Sequence, residues 1–404
     1  MDGQALRRQM QPVSNGVDAV CANPELLDAG AIGLFTNFTG TTQTLGRTVD
    51  ALLEAGLPVR ALFGPEHGLR GSVQAGETET SATDETTGLP IYETYGAAAD
   101  RIAEMIVESG IDTLVFDMQD IGVRYYTYVW SMFDGLSAAA QAGVPMVVLD
   151  RPNPLGGLVA QGPGVAARFE SFVGRTDVPL RHGLTIGELA HLFQARLAAV
   201  GRVARLTVVP MRGWRRGDFR TTGLPWVPPS PNMPTLESGY AFGAYGLLEG
   251  TNISEGRGTT KPFELFGAPY FDSHLIPALR QAAPPGVLFR EAWFTPVFSK
   301  YAGQALRGIQ LHIVDPAAYD PLLTGLTTLA VISRLYGDRL TALPPYEGSG
   351  RRPLDVLWGD ARLGDAIDAG RVAVDDFYTP PQAVTDGPFA PYLLYPPTTK
   401  EPLP

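Results

Sequence analysis

The sequence predicts an α/β fold: a Rossmann-like parallel-sheet N-terminal domain over residues 1–265 and a smaller α+β C-terminal domain over 266–404. Three observations point there. Short apolar runs alternate with amphipathic helical segments from Ala31 onward, the rhythm of a parallel sheet covered on both faces. Polar residues collect just past the C-terminal end of each apolar run. Beyond Leu265 the rhythm gives way to strand-and-turn sequence, one long helix and a tail rich in Pro and aromatics.

In chain order, "AIGLFTN" reads as a short buried strand and "TVDALLEAGL" as a helix. "VRALFGP" is a second strand, and an irregular stretch follows. "AADRIAEMIVESG" carries apolar residues at helical spacing and ends in a glycine stop. "IDTLVFD", "VPMVVLD" and "RLTVVPM" are further strands, and "YVWSMFDGLSAAAQAG" is a helix. In "TIGELAHLFQARLAAVG", Thr185 and Glu188 have the spacing of a capping box. "WVPPSPNMP" holds four prolines in nine residues, which a core strand or helix cannot carry, so it is an ordered loop or a shielding arm. "VLFREAWFTPVFSKYAGQALRGIQLHIV" reads as strands and turns, and "YDPLLTGLTTLAVISRLYG" as a long helix.

The 404 residues are 45% hydrophobic and 18% charged, which fits a globular chain with a sizeable core. A net charge of −11 repels nucleic acid and anionic lipid, so neither is expected as a partner. The single cysteine, Cys21, excludes an intrachain disulfide and sits at helical spacing as a packing residue. The N-terminal residues lack the apolar core of a signal peptide, so the chain as it stands is expected in the cytoplasm, with export open if a leader preceded it.

In an open parallel sheet, ligands bind beyond the carboxyl ends of the strands. The residues there are Asn37 and Thr39; Glu66, His67 and Arg70 in "LFGPEHGLRG"; Asp117, Gln119, Asp120 and Arg124 in "FDMQDIGVRYYTY"; Asp150, Arg151 and Asn153; then Arg212 and Trp214. A single Asp after a strand is more often a helix N-cap than a catalyst. Five such clusters at one edge point to a shared crevice. The segment "LLEGTNISEGRGTTKPFELFGAP" adds Glu249, Asn252, Glu255 and Arg257 among glycines, and reads as a second ligand-facing loop. It lacks Gly-Lys-Ser/Thr, and the first strand does not lead into G-x-G-x-x-G, so nucleotide binding is not supported.

The motifs "GLFTNFTG", "FGPEHGLRG", "FDMQDIGVRYYTY", "LDRPNPLGG", "PLRHGLTIGELA", "PSPNMPT" and "EGTNISEGRGTTKPFELFGAP" together resemble the exo-β-N-acetylmuramidases, glycoside hydrolases of bacterial cell-wall turnover. The resemblance spans residues 31–269 and runs more loosely through "LDVLWGDARLGDAI". It implies removal of N-acetylmuramic acid from the non-reducing end of peptidoglycan fragments, with Glu66 as catalytic acid/base and peptidoglycan-derived muropeptides or disaccharides as partners.

Glycoside hydrolysis takes a proton donor and usually a second carboxylate. Asp117, Asp120, Glu77, Glu249 and Glu255 are candidates for the second group, unless the substrate's own acetamido oxygen attacks the anomeric carbon. His67 orients the acid or touches substrate. Arg124, Arg151 and Arg257 are the candidates to meet the lactyl carboxylate. Tyr125, Tyr126 and Trp214 are candidates to stack on sugar faces, while Asn37, Arg70, Asn232, Asn252 and Glu255 complete the expected binding set. No cofactor or metal is expected, because His182 and His191 are too far apart in sequence to form a ligand set with His67. Two other readings compete. A non-catalytic sugar-binding protein would bind a chromogenic muramide without turning it over. A metal-dependent hydrolase using Glu66, His67, Asp117 and Asp120 would lose activity to a strong chelator.

Overall fold

A computed structural model describes residues 13–74 and 82–395. Six strands form the parallel sheet: β1 (Ile32–Thr36), β2 (Val59–Gly64), β3 (Ile91–Glu93), β4 (Thr113–Asp117), β5 (Met146–Leu149) and, after a short β6 (Val159–Ala160), β7 (Leu206–Val209). Their order is β3-β2-β1-β4-β5-β7. The chain starts in the middle, winds outward through β2 and β3, then returns to β4 and winds the other way. The topological switch therefore lies between β1 and β4, whose Thr36 and Asp117 are register partners.

These strands are apolar without alternation because both faces are covered. Ile32, Leu34, Leu62, Val115, Val147 and Leu149 face one way, into a core capped by α1 (Gly16–Ala22) and α2 (Thr48–Glu54). Phe35, Phe63, Phe116 and Val148 face the other way, under α3 (Ala99–Ser109), α4 (Tyr128–Ala142) and α5 (Ile186–Ala198). The Gly110 stop after α3 is left-handed at φ 66°, and the Thr185–Glu188 capping box on α5 is formed.

α6 (Leu236–Tyr245) leads into the second sheet, of order β8-β10-β9 and antiparallel throughout: β8 (Leu265–Gly267), β9 (Val287–Phe294) and β10 (Leu306–Ile313). α7 (Leu275–Ala282) and the long α8 (Pro321–Tyr336) pack there, followed by α9 (Pro353–Trp358) and α10 (Arg362–Asp368). One apolar core runs from Phe35 under the first sheet to Trp358 and Leu363 in the C-terminal part.

Two features differ from the expectation. The stretch read as irregular contains β3, a three-residue edge strand whose Glu93 pairs with Gly64 of β2. The C-terminal tail returns to the N-terminal half, where it adds a separate two-stranded ladder. β11 (Gln382–Ala383) pairs with β6, and Tyr395 donates its hydroxyl to Asp150 Oδ2 at 2.5 Å. No helix among the described residues is long and apolar enough to cross a membrane.

Candidate active site

Strand β2 ends in Gly64-Pro65, and the chain turns at once, with the Gly68 N–H donating to Pro65 O at 3.0 Å. His67 occupies the left-handed region at φ 69°, which a non-glycine residue enters only at a cost. Its ring bonds back onto the loop, Nδ1 lying 3.0 Å from Val73 O. A carbonyl only accepts, so Nδ1 carries the proton and Nε2 is left as the acceptor of the neutral ring. Burial holds the imidazole below its ordinary pKa, with Arg257 acting in the same direction and Glu66 against it. At Gly71, φ 71°, a Cβ would meet the Phe38 ring at 2.4 Å, so glycine is required where the turn rejoins the first loop.

Glu66 is 8% exposed at the head of this turn. Thr127 donates its hydroxyl to Glu66 Oε2 at 2.7 Å. Thr127 is the N-cap of α4, yet its side chain makes no capping bond. Tyr95, just past β3, also bonds Glu66, and burial together with that carboxylate pushes its phenol up to about 12. The carboxyl is thus gripped by the residues that follow β3 and precede α4.

The second ligand-facing loop meets this turn from the other sheet. Arg257 Nη2 lies 3.0 Å from Glu249 Oε1, and Arg257 Nε lies 3.5 Å from Glu255 Oε1. Lys300 Nζ holds the far side of Glu255 at 2.9 Å and also binds Leu248 O and Ile253 O. The Arg257 guanidinium stands 5.2 Å over the Phe263 ring and interacts electrostatically with both Glu66 and His67. Glu249 stays 31% exposed, while burial pushes its carboxyl up against the pull of Arg257. The combination describes a carboxyl in a concavity that still reaches solvent. One cation therefore joins Glu66, Glu249 and Glu255.

Other expected residues sit elsewhere. Asp117 and Arg151 form a bidentate buried pair at 2.5 and 2.7 Å, Asp117 also accepts from Thr48, and Arg151 donates to Thr41 O. Asp117 is fully buried, so it welds the switch point and does not face Glu66 as a free carboxylate. Arg124 is 0% exposed and donates to four carbonyls, those of Pro163, Val178, Leu357 and Trp358. Burial brings it down to about 10, and it ties the first sheet's loop to the end of α9, which removes it from the lactyl carboxylate. Tyr125 and Tyr126 are core residues whose hydroxyls reach Phe242 O and Pro229 O, and Trp214 packs on Tyr395, so none of them offers a face to a sugar.

Asp120 accepts from Gly122 N–H at 2.7 Å and lies 3.0 Å from His182 Nε2, while its buried Oδ1 has no hydrogen-bond partner among the described residues. Asn37 closes its own loop by accepting from Thr39, whose hydroxyl in turn receives the Gln119 N–H. Asn252 braces the C-terminal part through Arg339 O, Thr341 N and Tyr270. Asn232 donates to Gln74 at 3.1 Å, and Arg70 is exposed within 3.8 Å of Glu85. Glu77 lies outside the described residues. Among the described residues, no group of three His, Cys, Asp or Glu is placed to hold a metal ion.

Sequence reasoning missed Thr127, Tyr95 and Lys300. Thr127 carried a usable signal as the residue opening a helix next to the third strand's loop. Tyr95 became placeable only with β3.

The sequence models of the N-terminal and C-terminal domains of exo-beta-N-acetylmuramidase NamZ match residues 32–237 and 240–378. Over 362 residues the chain is 47% identical to the peptidoglycan beta-N-acetylmuramidase NamZ of Bacillus subtilis (strain 168), covering 89% of this chain and 85% of that protein. Two crystal structures of DUF1343 family proteins from Bacteroides fragilis NCTC 9343 are similar. One has a TM-score of 0.84 at 32% identity, covering 95% of this chain and 99% of that one. The other has a TM-score of 0.73 at 26% identity, covering 96% and 100%. With both halves of the fold and the Glu66 turn accounted for, the chain belongs to the exo-β-N-acetylmuramidase family of glycoside hydrolases.

Proposed function

We propose that Glu66 is the general acid/base of an exo-acting hydrolase that releases N-acetylmuramic acid from the non-reducing end of peptidoglycan fragments. The observation that carries this is the grip on its carboxyl by Thr127 and Tyr95, beside the Arg257 cation. A carboxyl held by two hydroxyl neighbours is fixed in direction, as positioned acid catalysis requires. As the aglycone leaves, Glu66 passes its proton to that oxygen. It then takes a proton from the incoming water.

Arg257 is our candidate for the lactyl carboxylate, since Arg124 and Arg151 are consumed by buried partners. Its fork holds Glu249 by Nη2 and faces Glu255 by Nε, and a lactyl carboxylate would share this planar set of donors with them. Glu249, partly exposed beside Arg257, is placed to accept from a sugar hydroxyl next to the lactyl group, and the second catalytic group is another carboxylate of the site or the substrate's own acetamido oxygen. Neutral His67 offers Nε2 as an acceptor for a sugar hydroxyl.

The test is incubation with a disaccharide carrying N-acetylmuramic acid at its non-reducing end. Release of the free muramic sugar supports the reading. Equal or faster release from the corresponding N-acetylglucosaminide contradicts the specificity, and binding without release supports a sugar-binding protein instead.

A further inference from the structure

The segment after Leu343 leaves and returns to one point. The Leu343 N–H donates to Gly250 O at 2.9 Å, and the Asn252 N–H donates to Thr341 O at 3.0 Å. At the far end, Leu354 packs so closely on Gly250 that a Cβ there would meet Leu354 Cα at 2.5 Å. Residues 344–352 are thus a compact surface loop with adjoining ends, rooted directly beside Glu249.

The loop is closed internally. The Tyr346 N–H donates to Arg351 O and the Ser349 N–H to Tyr346 O, both at 3.0 Å. From there it crosses to the N-terminal half, where Arg351 Nη1 donates to Glu170 O at 2.9 Å. Two residues beyond Glu170, Phe172 packs edge-on against Tyr95 at 5.3 Å, and Tyr95 bonds Glu66. A wall therefore runs from Glu249 through Tyr346, Arg351 and Phe172 to Tyr95, along one side of the crevice that holds Glu66. The Tyr346 side chain is exposed at 56%, yet burial and the Glu249 charge both raise its phenol, so it stands within electrostatic reach of Glu249.

The chemistry of the sugar says which side this is. The lactyl group is carried on O3, and a glycan chain continuing past the non-reducing end would leave from O4, the neighbouring oxygen. With Arg257 receiving the lactyl carboxylate, its partner Glu249 and the loop rooted beside Glu249 flank O4. We propose that loop 344–352, lined by Tyr346 and tied across the crevice by Arg351 to Glu170, is the stop that confines hydrolysis to terminal muramides. This rests on the muramidase reading above and explains an exo mode by steric closure at O4.

Two substrates test it: an aryl N-acetylmuramide, and the same compound bearing N-acetylglucosamine on O4. The native enzyme hydrolyses the first and not the second. A variant with residues 345–350 replaced by Gly-Gly raises the capped-to-uncapped ratio of kcat/KM by more than about tenfold. Its ends already meet at Gly250, so the shortened loop can close. Tyr346→Ala and Arg351→Ala each raise the same ratio by less. An unchanged ratio in all three variants overturns the proposal, as does native hydrolysis of the capped compound. If the shortened loop loses both activities, the two single variants decide by the same ratio. Failure of the native enzyme on the uncapped muramide overturns the muramidase reading itself, a distinct result.

Discussion

Thr127 gives up the N-cap bond of a 15-residue helix to place its hydroxyl 2.7 Å from Glu66 Oε2. A helix N-cap that bonds elsewhere forgoes on the order of 1 kcal/mol of helix stability. That cost at the catalytic turn is what positioning an acid looks like. Thr127→Val keeps the shape and removes the donor. Its kcat is expected to fall by about tenfold, the worth of one hydrogen bond, with KM little changed. An unchanged kcat would show that Thr127 is packing only.

Arg257 is an expected arginine whose charge reaches Glu66. Arg257→Ala is expected to weaken transition-state binding of the muramide by about 2–5 kcal/mol relative to the N-acetylglucosaminide, the cost of leaving a buried carboxylate unpaired. The ratio of the two kcat/KM values is the readout, because the variant also loosens Glu249 and Glu255. Equal losses on both substrates would move the lactyl site elsewhere.

Arg124 carries the opposite expectation. Its four carbonyl partners join residues far apart in the chain. Arg124→Met is expected to cost on the order of 3 kcal/mol of stability, as four buried acceptors lose a charged donor. Thermal unfolding should drop by several degrees, while the folded fraction keeps its KM. A stable variant with a raised KM would return Arg124 to the substrate.

His67 supplies a pH signature. Burial depresses its pKa, so the unfolded chain takes up the proton first as pH falls. The neutral ring's contribution to stability is full above about 6.5, the ordinary value, and is lost as pH falls through the lower folded value. His67→Asn suits the left-handed backbone and does not titrate. The melting-temperature gap between native enzyme and variant is expected to shrink from pH 7.5 to pH 5. A gap that grows would contradict a buried neutral imidazole.

Several features of this site were legible beforehand because they are local. The strand ends, the Pro65 turn and the Thr185–Glu188 capping box each depend on residues within a few positions of one another. The Asp117–Arg151 pair was not, since both looked like crevice residues. Only the adjacency of β4 and β5 shows that they neutralise each other. Arg124 misled for the same reason, as its partners arrive from Pro163 and from Trp358. Tyr95 stayed hidden because β3 has three residues, too few for a periodicity to declare itself.

The most direct measurement is the turnover of Glu66→Gln on two substrates with different leaving groups. The variant keeps the shape and cannot donate an acidic proton. On the natural disaccharide, whose leaving sugar needs protonation, kcat is expected to fall by about 10²–10⁴-fold. On an aryl muramide, which leaves with little help, the loss should be much smaller. A folded Glu66→Gln enzyme that turns over the disaccharide near the native rate would contradict the assignment of Glu66 as the acid.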